Sequence, residues 1–409
     1  MKLRLMIVFA LFANAVYGQS DGDNALLDSA KVLFNKGSEI SREDAGHYYS
    51  GIASLLTEVV KLAPDNAEAR YFLAYTYSRI NSYDAESLIN VSLDLTLKSS
   101  EQLEKVNKLT PRYTGEIIAL DPYVKISAEW GSMAMRFLYN NKRDSAVWAF
   151  KEGQKRGGYS KYVLELNKKV LDACSKNAIL MTCGDNSTMP LWFLQVVDGY
   201  RKDVAVVDAD MLNSTWYPSY LSKNDIVKFD MPQQDTDTVS HIVWTDSLIT
   251  IGDFAWTVKP TYYDYYLLRG DRLFLSILKQ NKFKKDIYFT IGYVDRLKLG
   301  LNDYISPMVV VDKFVAKGKT EAVYANYKKS IESTLSLSRY LNINSTDEIR
   351  LFGFFRFILL QRISYYMDMG DMEKAKELLS IHDKYAQEEK LPYKSDYENR
   401  LIKYFRHRL

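Results

Sequence analysis

The chain has 409 residues, of which 47% are hydrophobic and 26% charged, so it has the composition of a globular protein and enough length for two or three domains. Without Lys2 and Arg4, which lie in a predicted leader, 52 basic residues face 51 acidic ones and the formal net charge falls from +3 to +1. This balance argues against a nucleic-acid-binding surface.

Residues 1–18 have the pattern of a cleavable signal peptide, because two basic residues precede the apolar run Leu5–Ala13 and small residues follow it. We expect cleavage before Gln19. No later stretch has the roughly 18 uncharged apolar residues of a membrane span. The mature protein is therefore expected to be periplasmic or otherwise exported, with no transmembrane segment.

Residues 19–160 show the periodicity of helical hairpins. The sequence Pro64-Asp65-Asn66 separates one pair of helices, and a second hairpin begins at Leu120-Asp121-Pro122 and ends at Gly157-Gly158. Small residues at helix contacts, with aromatic residues between them, resemble tetratricopeptide repeats of about 34 residues. Such repeats stack and often bind a peptide or a partner domain, so a protein or peptide partner is predicted.

Aromatic residues in these hairpins allow two interpretations. They either fill the core between helices or contact a bound partner. We favour core packing for three of them: Tyr75, Trp130 and Trp148.

The segment 178–207 predicts a strand, a loop, a helix and a second strand. Ala178–Cys183 is an apolar run of strand length, turn residues follow it, Pro190–Val197 has the spacing of one helix face, and Val204–Val207 is β-branched. A crossover this short suits two parallel strands, with the loop at the carboxyl end of the first strand. Ligands often bind at that position in open α/β sheets.

Further strands and helices follow in the chain. Alternating apolar residues predict short strands at Ile226–Phe229 and Ile242–Trp244, a helix is predicted over Arg269–Gln280, and two more strands over Asp286–Ile291 and Val309–Phe314. The fold class is therefore a mixture of α/β and α+β. Tetratricopeptide-like hairpins (19–160) precede a central α/β domain with a mixed sheet (161–317), and C-terminal α-hairpins complete the chain (318–409).

Residues 184–217 read GDNSTMPLWFLQVVDGYRKDVAVVDADMLNSTWY. This stretch resembles the soluble extracytoplasmic C-terminal region of large bacterial membrane proteins whose membrane half resembles protein O-mannosyltransferases. It departs from their pattern at Ser187, Met189 and Arg201. The resemblance implies no activity here, because a glycosyltransferase reaction would belong to the membrane half. The matching positions are Gly184, Asp185, Asn186, Thr188, Pro190, Leu191, Trp192, Gly199, Asp203, Val204, Leu212, Asn213, Trp216 and Tyr217.

The loop after the first predicted strand is the candidate ligand site. In a functional interpretation, Gly184 allows close approach of a ligand, Asp185 and Asn186 bind hydroxyls or a cation, and the helix N-terminus favours partial negative charge. The remaining candidates are Thr188 in the same loop, Asp208 across the crevice, and Trp192 and Trp216 as flat faces for sugar rings.

We favour a structural interpretation of the same loop. In it, Asn186, Ser187 or Thr188 caps the helix and Pro190 lies in the first turn. Asp185 then accepts backbone hydrogen bonds and Trp192 is a core residue.

Catalytic signatures are weak in this sequence. The four histidines have no metal-ligand spacing, and no Gly-x-Ser-x-Gly, His-Glu-x-x-His or phosphate-binding loop occurs. We predict no cofactor and no metal. We also predict that Cys174 and Cys183 are free thiols, although a disulfide between them remains the alternative.

Two functions remain open at this point. The predicted function is that of an exported, non-catalytic interaction or scaffold protein, accessory to an envelope glycan or glycosylation system. The alternative is a module that binds or modifies a glycan or small molecule at Gly184–Thr188.

Overall fold

The computed structural model describes residues 21–320, 323–386, 391–393 and 395–409. The predicted signal peptide and its cleavage site lie outside these residues. Among the helices of the described ranges, none combines the length and the apolar character that a membrane crossing requires.

The N-terminal part is built from helices that pack on their neighbours in sequence. Side-chain caps set several of their starts, because Asn66 accepts a hydrogen bond from the backbone N–H of Ala69 and Asp121 accepts bonds from those of Tyr123 and Val124. The predicted hairpins at 64–66 and 140–142 are present as helix–turn–helix units. The helices are α1 (Asp21–Lys36), α2 (Arg42–Leu62), α3 (Ala67–Asn81), α4 (Leu93–Leu109), α5 (Pro122–Tyr139), α6 (Arg143–Lys155) and α7 (Lys161–Ala173).

The central part contains a five-stranded mixed sheet with the order β2-β1-β7-β9-β8. Strand β1 is parallel to β2 and β7, whereas β9 is antiparallel to β7 and β8, as the mixed-sheet prediction requires. The elements are β1 (Ile179–Thr182), α8 (Asp185–Val197), β2 (Ala205–Asp208), α9 (Trp216–Lys223), α10 (Gln233–Thr238), β3 (Ile242–Val243), β4 (Ser247–Ile251), β5 (Phe254–Val258), β6 (Tyr266–Leu267), α11 (Arg269–Asn281), β7 (Ile287–Thr290), β8 (Ile305–Pro307) and β9 (Val311–Phe314).

Two local predictions for the central part were wrong. Helix α8 begins at Asp185, one turn earlier than expected, so Pro190 lies inside the helix and not in its first turn. The segment Ile226–Phe229 is not a strand, and its alternating apolar residues find no partner strand in the described part of the chain. The strand predicted at Ile242–Trp244 is present as β3, which pairs with β6 in a separate two-stranded sheet.

Helix α8 joins the sheet to the N-terminal helices. It packs against α5, α6 and α7. Phe193 of α8 lies 5.7 Å from Phe150 and 4.9 Å from Tyr159 between ring centroids. A Cβ at Gly131 of α5 would lie 2.6 Å from the Met189 sulfur, so glycine is what allows α5 and α8 to approach this closely.

C-terminal helices complete the molecule and meet α5 end to end. Asp121 at the start of α5 and Asp347 at the start of α13 each accept a hydrogen bond from the other's backbone N–H, at 2.9 and 2.7 Å. Asp121 also accepts the hydroxyl proton of Ser345. We call Asp121, Ser345, Asp347 and Glu348 the capping junction. The helices are α12 (Tyr324–Leu335), α13 (Thr346–Asp368), α14 (Met372–Tyr385) and α15 (Asp396–Arg408).

Candidate functional site

The loop between β1 and α8 is held by its own backbone and by Ser187. Gly184 has a φ of +84°, a conformation that L-residues rarely adopt. The Ser187 hydroxyl donates to the Cys183 carbonyl at 2.6 Å and accepts the Cys183 N–H at 3.3 Å. These bonds fold the chain back at the first turn of α8, so the Asp185 side chain is not needed to hold the loop.

A cavity of about 270 Å³ lies between the N-terminal helices and the carboxyl ends of β1 and β2. We call it the interdomain cleft. The helical side contributes Tyr75, Ser78, Arg79, Lys125, Glu129 and Ser132, together with residues 81–85, and the sheet side contributes Gly184, Asp185, Asp208, Asp210 and Met211.

Asp185 is the half-buried carboxylate of this cleft. Its side chain makes no hydrogen bond or ion pair within the described part of the chain. Burial raises the pKa of Asp185, while the positive charges of Lys125 and Arg79 lower it in part. An acceptor group therefore lines the cleft without a hydrogen-bond partner among the described residues.

The charged side chains on the helical wall of the cleft have partners within the protein. Lys125 forms an ion pair with Glu129 at 2.7 Å, donates to the Ser78 hydroxyl at 2.8 Å and lies 4.9 Å from the ring centroid of Tyr75. Arg79, one helical turn after Tyr75, donates at 3.5 Å to the carbonyl of Tyr83. Lys125 and Glu129 thus neutralise each other's charge, whereas the Arg79 guanidinium keeps its positive charge.

Asp208 and Thr188 form a buried network at the floor of the cleft. The Thr188 hydroxyl donates to Asp208 Oδ2 at 2.5 Å and lies 2.7 Å from the Thr182 hydroxyl, while the Met211 N–H donates to Asp208 Oδ1 at 3.0 Å. Asp208 is only 1% exposed, and burial raises its pKa to about 7. Both of its oxygens are engaged, so Asp208 positions the loops around it rather than reaching a ligand.

Asp210 and Cys183 lie beside this network. The Cys183 thiol donates to Asp210 Oδ2 at 3.2 Å, and burial together with that carboxylate raises the pKa of Cys183 to about 12. A thiol with so high a pKa is a poor nucleophile at neutral pH. Both Cys183 and the buried Cys174 are free, as expected.

Three of the sequence candidates lie away from the cleft. Asn186 is exposed and lines, with Asp185, a neighbouring cavity of about 200 Å³. Trp192 and Trp216 are buried, and the Trp216 indole N–H donates to the Ala85 carbonyl at 2.9 Å. The structure therefore brings together Gly184, Asp185 and Asp208, with Thr188 beneath them, and gives both tryptophans packing environments.

Sequence reasoning missed the helical wall. Tyr75 and Arg79, and likewise Lys125 and Glu129, are spaced i,i+4 and so share a helix face. The charged residue Glu129 was a usable sequence signal, because it stands between Ala128 and Trp130 in a stretch of small and apolar residues. In the structure it is 5% exposed. Within the described ranges, no group of three His, Cys, Asp or Glu residues is placed to hold a metal ion.

Comparison with known families gives a match in the central part of the chain. Residues 163–237 are similar to the family model described as TMEM260-associated domain 2. The matched segment runs from α7 almost to the end of α10 and includes the Gly184 loop and Asp208. It therefore overlaps the stretch that resembles the extracytoplasmic region of O-mannosyltransferase-like membrane proteins. The chain matches none of the curated proteins searched.

Proposed function

We propose that this protein is an exported, non-catalytic binding protein, accessory to an envelope glycan or glycosylation system, and that it holds a hydroxyl-rich ligand in the interdomain cleft. The observation that carries the proposal is Asp185, a half-buried carboxylate that faces the cleft with no hydrogen-bond partner in the described residues. Such a group loses hydration without compensation unless a ligand or water supplies donors.

The chemistry of the walls favours a neutral polyol. Sugar hydroxyls both donate and accept hydrogen bonds, and the cleft offers carboxylates as acceptors and Arg79 as a donor. An anionic ligand would meet Asp185 and Asp210, and an apolar ligand would leave Asp185 unpaired. The similarity of residues 163–237 to TMEM260-associated domain 2 supports the link to a glycosylation system.

The positions of two reactive groups support a non-catalytic role. Acid–base catalysis needs a carboxyl that touches the substrate, and Asp208 is covered by Thr188 and Met211. The Cys183 thiol is protonated and bonded to Asp210. The open carboxylates among the described lining residues are Asp185 and Asp210, and we assign them a binding role.

A thermal-shift screen of residues 19–409 against neutral glycans, nucleotide sugars and divalent ions tests the proposal. A neutral glycan at about 100 times its dissociation constant should stabilise the wild type by roughly 2.7 kcal/mol. The Asp185→Asn variant should lose this shift because it replaces one of the two acceptor oxygens with an NH2 donor and removes the negative charge. Asp198→Asn is the matched control, since Asp198 is an exposed acid at the other end of α8.

The same screen contradicts the proposal in two ways. A shift with a divalent ion alone would make Asp185 and Asp210 cation ligands. Glycan binding that Asp185→Asn leaves intact would move the site elsewhere.

A second candidate function is docking of a peptide or protein partner on the helical hairpins, as tetratricopeptide-like repeats would do. It is favoured by Trp148, which is 44% exposed on α6 although its ring packs 5.6 Å from that of Trp130. Exposed tryptophans are common binding hot spots. Capture of a defined partner from envelope extract by the wild type, and its loss in Trp148→Ala, would support this function.

A further inference from the structure

A small pocket lies next to the interdomain cleft, where the chain leaves β2 and β7. Its volume is about 30 Å³, room for roughly one water-sized group. Its polar lining comprises Asp210, Asn213, Asp271, Tyr293 and Arg296. Asp210 also lines the interdomain cleft, so one side chain forms part of both walls.

Tyr293 gives this pocket an unmet hydrogen-bonding group. The residue is 5% exposed, and its hydroxyl oxygen is buried with no hydrogen-bond partner in the described residues. Burial raises the pKa of Tyr293 far above its ordinary value, and the neighbouring acidic groups, among them Asp271 and Asp210, raise it further, so the hydroxyl keeps its proton. Leaving such a group unpaired costs roughly 1–3 kcal/mol.

Two neighbours complete the polar set around Tyr293. The Oδ2 atom of Asp210 accepts a hydrogen bond from the Cys183 thiol, and no protein donor in the described ranges reaches the Oδ1 atom. Arg296 is exposed and forms no ion pair with any described residue. The pocket thus presents a hydroxyl, a carboxylate acceptor and a guanidinium donor.

We propose that this pocket is a subsite of the interdomain cleft that receives one hydroxyl group of a hexose, bound by Tyr293 and Asp210. The inference rests on the proposed glycan-binding function and adds to it the group that orients the sugar. The volume admits the hydroxyl at the end of a hydroxymethyl arm but not a sugar ring. Asp210 and Asp271 disfavour an anionic group there, and an apolar group would leave the Tyr293 hydroxyl unpaired.

NMR titration of residues 19–409 with methyl hexopyranosides of the gluco, manno and galacto series, and with their 6-deoxy counterparts, tests the subsite. The wild type should bind a hexoside about 10-fold more tightly than the 6-deoxy sugar, the factor expected for one good hydrogen bond. Tyr293→Phe should bind both forms with equal affinity. Asp210→Asn should weaken the preference as a second, independent variant.

Tyr162→Phe is the matched control. Tyr162 in α7 also has a buried hydroxyl with no hydrogen-bond partner, and it lines neither the small pocket nor the cleft. Removing either hydroxyl should leave the melting temperature of the free protein unchanged or higher. Only Tyr293→Phe should abolish the preference for the hydroxylated sugar.

The outcomes separate this inference from the function on which it rests. Wild-type binding with no preference between hexoside and 6-deoxy sugar, or a preference that Tyr293→Phe retains, overturns the subsite and leaves the proposed function standing. A marked loss of stability in Tyr293→Phe also overturns it, because the hydroxyl would then already be satisfied by internal water. If the wild type binds none of these sugars or larger neutral glycans, both proposals fail.

Discussion

The capping junction and the interdomain cleft both place carboxylates between separate parts of the chain, yet they use them differently. At the capping junction, Asp121 accepts bonds from two N–H groups of its own helix, from the Asp347 N–H and from the Ser345 hydroxyl. In the cleft, Asp208 is similarly satisfied, whereas Asp185 has no such partner among the described residues. Burial is thus common to the two regions, but complete hydrogen bonding is not.

The difference separates a structural contact from a binding site. Fully bonded buried carboxylates fix the geometry of the helices that they join. A half-buried one without a protein partner among the described residues, such as Asp185, still meets solvent and is available to a ligand. The cleft combines both kinds, with Asp208 as the fixed floor and Asp185 as the open group.

The largest effect should come from breaking the capping junction. Asp121→Ala removes the cap of α5 and leaves the Ser345 hydroxyl and the Asp347 N–H without an acceptor. We expect a loss of roughly 2–4 kcal/mol in the free energy of unfolding, because a lost cap and buried unpaired donors add together. Urea denaturation followed by circular dichroism measures it.

Asp121→Asn is the control for this variant. Asparagine keeps an oxygen for the α5 cap but turns an amide donor toward Ser345 and Asp347, so its loss should be smaller. An Asp121→Ala variant as stable as the wild type would show that the junction does not hold α5 and α13 together.

A smaller effect is expected at the floor of the cleft. Thr188→Val replaces a fully buried hydroxyl with a methyl group of similar size and removes a donor to Asp208. The expected loss is roughly 1–3 kcal/mol in unfolding free energy, measured in urea. Thr188→Ser retains the hydroxyl and should recover most of the difference, whereas an equal loss in both variants would point to packing and not to the hydrogen bond.

The sequence predicted the parts of this picture that depend on local patterns. The apolar runs that became β1 and β2 are short and bounded by turns, and a short crossover between them allowed a parallel pair at Thr182 and Asp208. The same logic placed Asp185 and Asp208 at one edge of the sheet. The start of α8 was missed because Pro190 is typical of a first turn, whereas Gly184 and Ser187 let the helix begin earlier.

The helical wall of the cleft, which the sequence did not predict, depends on long-range packing. Arg79 and Lys125 reach the cleft because α3 and α5 lie beside the carboxyl edge of the sheet. The contact between α5 and α8 is close at Gly131, where a Cβ would lie 2.6 Å from the Met189 sulfur. The sequence suggested Trp216 as a flat face for a sugar ring. In the structure its indole N–H donates to the carbonyl of Ala85, a residue on the helical side of the cleft. No periodicity in a single chain encodes these distances.

The smallest predicted effect is a pH dependence of the free energy of unfolding. It involves one buried acid from the cleft and one from the capping junction. Burial raises the pKa of Asp208 in the cleft and of Glu348 at the capping junction to about 7. An acid whose pKa is higher in the folded state makes folding more favourable when protonated, and this contribution is lost as the pH rises through the folded pKa. Between about pH 6.5 and pH 7.5, each group should therefore lower the unfolding free energy by on the order of 1 kcal/mol.

Asp208→Asn and Glu348→Gln should each flatten this slope, because neither variant titrates there. His382, whose pKa is lowered by burial, contributes a slope of opposite sign near neutral pH, but it is present in every protein compared and cancels in the difference from wild type. Urea denaturation at several pH values measures both differences. If Asp208→Asn retained the wild-type slope while Glu348→Gln flattened it, Asp208 would be ionised throughout. Its negative charge would then add to those of Asp185 and Asp210 and favour a cationic ligand over a neutral sugar.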